Sequence, residues 1–326
     1  MRAVRVHDYS GPAGLRVDEV PDPTVGAGQV LIDVRAAGVN FPDVLLTYGK
    51  YQFKPNPPFS PGAECAGVVR AVGAGVTSVV PGDRVAATVL NGAFVEQICL
   101  PEVAVVKLPD EVSFEVGAAT LLTYATTWHA LVDRAALAAG EKLLVLGAAG
   151  GVGVAACEIG ALLGARVIAA ASTDDKLAFC RDHGASETIN YATEDLKDRL
   201  KALTSGGVDV VYDPIGGPLA EVALRSTAWQ GRYLVVGFAT GEIPKIPLNL
   251  VLLKGCQIVG VFWGSFAMRD QQRNRAHAAE IFRHVAAGKL RPAIDAVLPF
   301  DQAREALERL EQRKVKGKLV LVPSRV

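Results

Sequence analysis

The stretch Glu141–Lys176, EKLLVLGAAGGVGVAACEIGALLGARVIAAASTDDK, predicts a strand, a glycine-rich turn, a helix and a second strand. Leu143–Leu146 is a short apolar run of strand type, and after the turn apolar residues recur at the three- and four-residue spacing of a helix. Gly164 ends that helix, and Ala165–Ala171 is a second apolar strand. This order of elements is typical of a unit that binds the pyrophosphate of a dinucleotide.

The turn between the first strand and the helix, AAGGVG from Ala148 to Gly153, is an A-x-G-x-x-G variant of the usual G-x-G-x-x-G. Gly150 has no Cβ to block the close approach of a phosphate, and Gly153 lets the helix pack closely on the strand. Backbone N–H groups at the start of the helix then face the anion. We therefore expect Gly150, Gly151 and Val152 to bind the cofactor.

The end of the second predicted strand favours NADPH over NADH. Proteins that bind NAD usually carry Asp or Glu at this position for the ribose hydroxyls, whereas this chain has Ser172. Lys176 follows one helical turn later, and Tyr191 lies beyond the next predicted strand. Hydroxyls and a lysine suit a 2′-phosphate, because a hydrogen bond to a charged group contributes about 1.5–3 kcal/mol. We interpret the neighbouring Asp174 and Asp175 as helix N-terminal residues favoured by the helix dipole.

Composition limits the classes of function. The chain has 326 residues with 34 basic and 34 acidic side chains, and this balance argues against nucleic acid or an anionic membrane surface as the main partner. Half of the residues are apolar, and the length predicts two domains. No apolar run is long enough to span a bilayer, and Met1–Asp8 has no apolar stretch of the signal-peptide type.

The cysteine pattern predicts reduced thiols. The chain has five scattered cysteines with no C-x-x-C pair, namely Cys65, Cys99, Cys157, Cys180 and Cys256. An odd number without paired spacing fits neither a disulfide framework nor a thiolate zinc site. We therefore expect a cytoplasmic protein.

The first part of the chain, to about residue 120, consists of short predicted strands separated by glycine and proline turns. Examples are Arg2–His7, Gln29–Ala36, Cys65–Val72 and Arg84–Thr88. Such spacing predicts a mostly β, barrel-like domain. The apolar, helical segment Glu115–Val132 then carries the chain between domains.

From Glu141 onward the pattern alternates between strands and helices. After the opening unit we predict helix Asp174–His183, strand Glu187–Asn190, helix Glu194–Leu203, strand Val208–Asp213, helix Pro218–Ala228, strand Arg232–Phe238, helix Leu248–Lys254 and strand Gln257–Phe262. Six strands with interleaved helices predict a doubly wound parallel sheet. The tail, with helices Arg273–Ala287 and Asp301–Arg313 and strands Ala293–Leu298 and Lys318–Val322, is expected to fold back onto the first domain. The charge-rich stretch Arg304–Lys318 is interpreted as a solvated helix face and turn.

Motifs along the whole chain resemble one known family. They are AAGVNFPDVL (Ala36–Leu45), PFSPGAECAGVV (Pro58–Val69), VVPGDRV (Val79–Val85), TTWHAL (Thr126–Leu131), GAAGGVG (Gly147–Gly153), GVDVVYDPIGG (Gly207–Gly217) and GKLVL (Gly317–Leu321). Together they resemble the medium-chain dehydrogenase/reductase superfamily, and within it the zinc-free NADPH:quinone oxidoreductases. The resemblance implies an α/β protein with a GroES-like, β-barrel-type catalytic domain over residues 1–122 and 265–326. It also implies a doubly wound Rossmann domain for NADPH over residues 123–264.

The chain departs from the zinc alcohol dehydrogenases at the positions that matter for metal binding. Where those enzymes carry a Cys and a His ligand, this chain has Asn40 and Ala63, which cannot replace thiolate and imidazole on zinc. Pro42 lacks the hydroxyl that relays a proton in those enzymes, and Asn91–Glu102 contains one cysteine where a structural zinc lobe would need four. We therefore expect no zinc. Without a Lewis acid, the remaining acceptors are those that tolerate negative charge by themselves, such as a quinone or an activated enone.

The resemblance implies two catalytic candidates in the first domain. Asn40 would line the nicotinamide pocket and donate a hydrogen bond to cofactor or substrate, with capping of its own loop as the alternative. Tyr51 would assist protonation or hold a carbonyl oxygen, as a tyrosine in this region does in relatives that reduce enoyl thioesters, and Tyr48 is a weaker candidate. A phenol can donate to an enolate oxygen without ionising. The alternative for Tyr51 is an exposed loop residue.

Four further residues are expected to contact the cofactor by resemblance: Thr126 on the inter-domain helix, Phe238 after the fifth strand of the sheet, and Phe262 and Gly264 after the sixth. Ordinary core packing is the alternative for the two aromatic side chains. The remaining candidates are interpreted as structural, with His129 and Tyr212 in the core and Asp43 and Glu64 paired with backbone or a basic neighbour.

The resulting hypothesis is an NADPH-dependent, zinc-independent oxidoreductase that reduces a quinone or a similar conjugated carbonyl acceptor. One alternative is an enoyl reductase acting on an enone or an enoyl thioester. A second is a crystallin-like protein that binds NADPH without significant turnover. The resemblance implies a homodimer in which the last strand of the nucleotide domain pairs with its two-fold mate. The apolar strand Gln257–Phe262 agrees with this expectation, because it would be a liability as an exposed edge.

Overall fold

The structure, a computed structural model, describes residues 1–323 and divides the chain into two compact units. The first unit contains Met1–Leu122, Ala278–Gly288 and the described part of Pro292–Val326, and the second contains Thr123–His277 and Lys289–Arg291. The chain returns to the first unit at Ala278, whereas the predicted division has it return to the first domain at residue 265. The last three residues of the predicted range, 324–326, lie outside the described residues.

The first unit is built on antiparallel β-structure. Its strands are β1 (Arg2–Val6), β2 (Leu15–Glu19), β3 (Gln29–Val39), β4 (Glu64–Val72), β5 (Arg84–Thr88), β6 (Gln97–Pro101), β7 (Val105–Lys107), β14 (Ile294–Pro299) and β15 (Lys318–Val322). β1 and β2 pair with each other, and the larger sheet has the order β14-β15-β3-β4-β5-β7, with β6 also paired to β3. The long strand β3 is central because it pairs with β15, β4 and β6. The chain's last described strand is therefore bonded to one of its first.

The second unit contains a six-stranded parallel sheet. Its strands are β8 (Lys142–Leu146), β9 (Arg166–Ala171), β10 (Glu187–Asn190), β11 (Val208–Asp213), β12 (Thr227–Val235) and β13 (Gln257–Gly260), in the order β10-β9-β8-β11-β12-β13. The order reverses between β8 and β11, which is the switch point at which doubly wound sheets bind ligands outside the carboxyl ends of their strands. The predicted doubly wound parallel sheet is confirmed.

The helices of both units include all those predicted, most of them with shifted bounds, and two that were not predicted, Phe41–Thr47 and Trp263–Arg269. They are α1 (Phe41–Thr47), α2 (Phe114–Trp128), α3 (Gly151–Leu162), α4 (Asp174–Asp182), α5 (Leu196–Leu203), α6 (Leu219–Arg225), α7 (Leu248–Lys254), α8 (Trp263–Arg269), α9 (Gln271–Ala286) and α10 (Ala303–Glu311). A π-helical turn, His129–Arg134, follows α2 directly. Within residues 1–323, no helix is both long and apolar enough to cross a membrane.

Burial explains why β8, the strand before the glycine turn, could be predicted from the sequence. Leu143, Leu144, Val145 and Leu146 of β8 are all fully buried, because both faces of a parallel sheet are covered by helices. The strand therefore appears as a continuous apolar run without polar alternation. Strand β3 lies in a sheet of which one face is more accessible to solvent than the other. Here Asp33 and Arg35 interrupt the apolar residues.

Three predicted elements in the second unit have wrong boundaries. The helix expected over Pro218–Ala228 ends at Arg225, because Thr227 already pairs with Val208 as the start of β12. That strand ends at Val235, so Phe238 lies in the following loop, not at the end of a strand. The strand expected over Gln257–Phe262 ends at Gly260, since Phe262 is the N-cap of α8.

Candidate functional site

The glycine turn lies at the carboxyl end of β8, where the sheet order reverses. Gly150 is exposed and serves as the extended N-cap of α3, with a φ of −75° and a ψ of 168°. A Cβ on Gly153 would stand 2.4 Å from the Gly147 carbonyl oxygen and 2.7 Å from the Ala148 Cα, so this position cannot carry a side chain without a shift of the backbone. The first N–H groups of α3 have no intrahelical acceptor and are available to an anion.

Thr127 fixes the glycine turn from the neighbouring helix. Its hydroxyl bonds the Thr123 carbonyl at 2.8 Å, the Val152 carbonyl at 3.3 Å and the Tyr212 hydroxyl at 2.9 Å. Thr127 is fully buried, whereas Thr126, our predicted cofactor contact, is half-buried. Sequence reasoning missed Thr127 because two adjacent threonines on a helix point in different directions, and only the three-dimensional arrangement shows which one reaches the turn.

The three residues predicted for a 2′-phosphate lie at the same edge of the sheet. Ser172 directly follows β9 and is half-buried. Tyr191 donates its backbone N–H to the Ala171 carbonyl at 3.1 Å, which places it beside the end of β9. The Thr173 hydroxyl caps α4 by accepting the Lys176 N–H at 3.3 Å. The structure thus brings Ser172, Lys176 and Tyr191 together around one strand end.

The two aspartates near this position have a local structural explanation. Asp174 and Asp175 stand in the first turn of α4. The Asp174 carboxylate accepts a hydrogen bond from the Asn190 side chain at 2.8 Å, which ties it to the end of β10. A negative charge at this position also interacts favourably with the positive end of the helix dipole.

The predicted aromatic contacts follow the carboxyl ends of the two last strands. Phe238 comes three residues after β12 and is 38% exposed, and Phe262 comes two residues after β13 and is 59% exposed. Gly264 stands in the first turn of α8 and is half-buried. An exposed large aromatic ring at this edge is better explained by a ligand than by the core. Their contact with a cofactor stays a prediction.

The residues at this edge fit an NADP-type dinucleotide. The turn offers free N–H groups for the pyrophosphate, and the end of β9 carries a hydroxyl and a cation and lacks a carboxylate at position 172. Because a 2′-phosphate carries up to two negative charges, a serine and a lysine bind it better than they bind a neutral ribose hydroxyl.

A buried ionic cluster lies in the first unit around Asn40. Lys318, 4% exposed, donates from Nζ to the Glu64 carboxylate and the Val39 carbonyl, both at 2.8 Å, and also to the Asn40 side-chain oxygen. The Asn40 side-chain nitrogen donates to Glu64 at 2.9 Å and to the Gly38 carbonyl at 3.2 Å. Every polar atom of the Asn40 amide therefore has a partner within the unit. Donation from Asn40 to a ligand stays a prediction, and it would have to replace one of these bonds.

Asp43 completes the buried cluster. Its carboxyl group accepts the Asn40 N–H at 2.8 Å and the Gly62 N–H at 3.0 Å. Complete burial raises the pKa of Asp43 to about 7, although these two N–H donors and the Lys318 charge act to lower it. When Asp43 is protonated, the ion pair of Lys318 and Glu64 has no third charge beside it. The interpretation of Asp43 and Glu64 as structural residues agrees with these contacts.

Lys318 corrects the interpretation of the segment Arg304–Lys318 as a solvated face. Lys314 is exposed as expected, but Lys318 is the first residue of β15 and lies inside the unit. This burial could not be predicted from the sequence, because a lysine that begins a strand after a charged turn resembles an ordinary surface residue. The missing signal is the buried Glu64, whose charge requires a partner.

The two tyrosine candidates differ in environment. Tyr51 is half-buried against Val6, Leu46 and Phe59, and burial, followed by the charge of Asp43, raises its pKa. Its phenol therefore stays protonated at neutral pH and can donate a hydrogen bond. Tyr48 is half-buried, and a hydrogen bond with Glu311 is the main cause of its raised pKa.

The residues that could hold a metal do not fit zinc. Among residues 1–323, no group of three or more His, Cys, Asp or Glu side chains is arranged to bind a metal ion. Asn40 and Ala63 stand where zinc ligands would be expected, and the Asn40 amide is already bonded to an ammonium and a carboxylate. An amide and a methyl group offer no thiolate or imidazole donor.

Comparison with known proteins places both units of the chain in the superfamily that its motifs resemble. Residues 26–110 match the alcohol dehydrogenase GroES-like domain, and residues 151–280 match the family described as zinc-binding dehydrogenase. The chain is 39% identical to quinone oxidoreductase-like protein 2 homolog of Nematostella vectensis, over 98% of this chain and 88% of that protein.

Two solved structures share the fold over nearly their full length. A quinone oxidoreductase from Pseudomonas syringae superposes with a TM-score of 0.92 at 34% identity, with 99% of each chain covered. Escherichia coli quinone oxidoreductase, crystallised in complex with NADPH, superposes with a TM-score of 0.93 at 29% identity, with 99% of this chain and 100% of that chain covered.

Replacement of Lys318 by Met is expected to destabilise the protein. The change removes the buried ammonium and leaves Glu64 unpaired, which costs about 3–5 kcal/mol of the free energy of unfolding. Urea denaturation monitored by circular dichroism measures the loss of unfolding free energy. Lys314→Met, at an exposed position of the same segment, is the matched control and should have almost no effect. Adding Glu64→Gln to Lys318→Met should recover part of the stability, and equal losses for both lysine variants would contradict the buried pair.

Proposed function

The chain belongs to the quinone oxidoreductases of the medium-chain dehydrogenase/reductase superfamily, and we propose that it uses NADPH to reduce a quinone or a similar conjugated carbonyl compound without a metal. The main support for the proposal comes from the side of the parallel sheet at which the carboxyl ends of the strands lie. There an open glycine turn and the Ser172, Lys176 and Tyr191 group offer separate sites for a pyrophosphate and a 2′-phosphate. Escherichia coli quinone oxidoreductase, a relative of the same fold, was crystallised with NADPH.

The chain's own residues would contribute mainly by binding and orientation. NADPH, when bound, supplies a hydride at its nicotinamide ring. The turn at Gly150–Gly153 would hold the pyrophosphate, and Phe238 and Phe262 would exclude water from the nicotinamide end. Correct positioning alone can contribute several kcal/mol to a reaction between two bound molecules. A conjugated acceptor spreads the incoming charge over its own carbonyl groups, so it needs no Lewis acid.

Tyr51 and Asn40 are our candidates for contact with the acceptor. The raised pKa of Tyr51 keeps its phenol protonated, so that it can donate a hydrogen bond to an oxygen that gains charge. Asn40 is held rigidly by Lys318 and Glu64. A rigid amide loses little entropy on binding a ligand, although one internal bond must be exchanged.

The acceptor class is tested by steady-state NADPH oxidation with a small panel of acceptors in the presence of EDTA. The panel contains 1,4-benzoquinone, a simple enone and crotonyl-coenzyme A. We expect rapid, EDTA-insensitive oxidation with the quinone. Turnover with the enone or the thioester alone would instead identify an enoyl reductase. Tight NADPH binding without turnover on any acceptor would favour a protein that only binds the cofactor.

Ser172→Asp should reverse the preference between the two cofactors. A carboxylate at the end of β9 repels the 2′-phosphate and accepts hydrogen bonds from a free ribose. We expect NADPH affinity to fall roughly 10- to 100-fold, the equivalent of one charge-assisted hydrogen bond, and NADH affinity to rise. Fluorescence titration gives both dissociation constants. Ser186→Asp makes the same charge change at an exposed residue before β10, at the other edge of the sheet, and should change neither constant. An unchanged NADPH affinity in Ser172→Asp would remove Ser172 from the phosphate site.

We also propose that two copies of the chain pair through β13. This strand is the outermost strand on one side of the parallel sheet, and its only strand partner in the described sheet is β12. Ile258 on this strand is 40% exposed. An exposed apolar edge strand readily pairs with a second copy. Sedimentation velocity should show a dimer for the wild type and a monomer for Ile258→Glu. Val80→Glu, at an apolar loop residue that is 58% exposed, should remain a dimer. A wild-type monomer at all concentrations would contradict the proposal.

A further inference from the structure

A cluster of charged and aromatic side chains surrounds Asp133 in the second unit. Asp133 lies in the π-helical turn after α2, and its side chain is 6% exposed. One carboxylate oxygen is 2.7 Å from Nδ1 of His129. The other accepts a hydrogen bond from Arg273 and lies 3.6 Å from Nε2 of His277. Asp133 therefore joins the π-helical turn to the start of α9.

Phe266 of α8 stacks on both imidazole rings of this cluster. Its ring centroid is 4.1 Å from that of His129, with 11° between the planes, and 5.6 Å from that of His277, with 25° between the planes. We call these five residues, Phe266, His129, His277, Asp133 and Arg273, the Phe266 cluster. The cluster connects α8 to a turn more than a hundred residues earlier in the chain.

The helix α8 is partly buried, since residues 263–267 are half-buried. None of its seven residues is fully buried, and Met268 is 59% exposed. Trp263 donates a hydrogen bond to the Asn274 side chain at 3.0 Å, but Asn274 lies only eleven residues away along the chain. The stack with His129 is a long-range side-chain contact that orients α8.

The position of α8 matters because the helix begins at the carboxyl end of β13. Phe262 is its N-cap, and Gly264 is in its first turn. The π-helical turn is bonded to the same strand end, since Arg134 donates to the Gly260 carbonyl at 3.1 Å. Ligands of doubly wound sheets bind outside these strand ends, and β11 to β13 lie on the side of the switch point opposite to β9 and β10. The start of α8 therefore lies on the half of the edge away from Ser172 and Tyr191.

The cluster favours a neutral His277. Its Nδ1 atom is buried without a hydrogen-bond partner, and burial lowers its pKa. The titratable or charged side chains that face the ring are Asp133 and His129 from the π-helical turn and Asp270 and Arg273 from its own end of α9, while α8 contributes the uncharged Phe266. In a neutral ring that is protonated on Nε2, Nδ1 carries a lone pair, so the atom without a partner is an acceptor and not an N–H donor.

From these contacts we infer that Phe266 is a positioning residue for the nicotinamide half of NADPH, acting through α8 on Phe262 and Gly264. This inference rests on the proposed NADPH-dependent function. The stack orients the start of α8, and it does not touch the residues around the end of β9. Its loss should therefore weaken binding of the nicotinamide half and leave binding of the adenosine 2′-phosphate half unchanged.

The test compares two ligands on the full-length protein by calorimetric titration. NADPH reports on both halves of the site, and 2′,5′-ADP reports on the phosphate half alone. For Phe266→Leu we expect an NADPH dissociation constant raised about five- to tenfold, the factor that corresponds to an aromatic pair, with 2′,5′-ADP affinity unchanged. His129→Asn keeps a donor toward Asp133 but removes the ring, and it should have the same effect. The conservative Phe266→Tyr should bind like the wild type, as should the control Met268→Ala on the same helix.

The outcomes distinguish this inference from the proposed function. Unchanged NADPH affinity in Phe266→Leu and His129→Asn would overturn the positioning role. Equal weakening of both ligands would also overturn it, because general destabilisation does not discriminate between the two halves. If the wild type binds neither ligand, the NADPH assignment is wrong and the inference is overturned with it. Binding of 2′,5′-ADP and NADPH by the wild type without turnover on any acceptor would leave the positioning role intact and contradict only the reductase proposal.

Discussion

The second unit depends on a steric constraint at one residue, Gly153. Any side chain there would meet the Gly147 carbonyl oxygen, so the turn between β8 and α3 closes only with glycine. This tight closure brings the N-terminus of α3 to the carboxyl end of β8, at the point where the sheet order reverses. The unpaired N–H groups of the helix, the end of β9 and the start of α8 are then arranged along a single edge. The candidate cofactor site follows from that arrangement.

The first unit depends on a different interaction, the buried pair of Lys318 and Glu64. A carboxylate enclosed in a sheet is costly unless a cation and further donors accompany it, and here the ammonium comes from the last described strand of the chain. Asn40 is held between the two charges. Asn40, which by resemblance takes the place of a zinc-binding cysteine, is thus held in a network of the chain's own side chains.

Sequence reasoning succeeded where a local rule determines the structure. The apolar runs, glycine turns and helix caps predicted the succession of the six parallel strands along the chain, and the bounds Glu187–Asn190, Val208–Asp213 and Leu248–Lys254 were predicted to the residue. It failed where a distant partner decides. Lys318 is buried because of Glu64, β12 begins early because Thr227 pairs with Val208, and Thr127 matters because the turn at Val152 is within reach. The Phe266 cluster belongs to the same class, since nothing near Phe266 in the sequence points to His129.

The proposed activity is the transfer of a hydride from NADPH to a conjugated acceptor without a metal. The most direct measurement is a single-turnover experiment in EDTA, in which excess enzyme carrying NADPH is mixed rapidly with 1,4-benzoquinone. It is repeated with NADPH deuterated at the transferred position of the nicotinamide. We expect rapid loss of NADPH that is slower with deuterium and independent of EDTA. Absence of oxidation, or oxidation that EDTA abolishes, would contradict it.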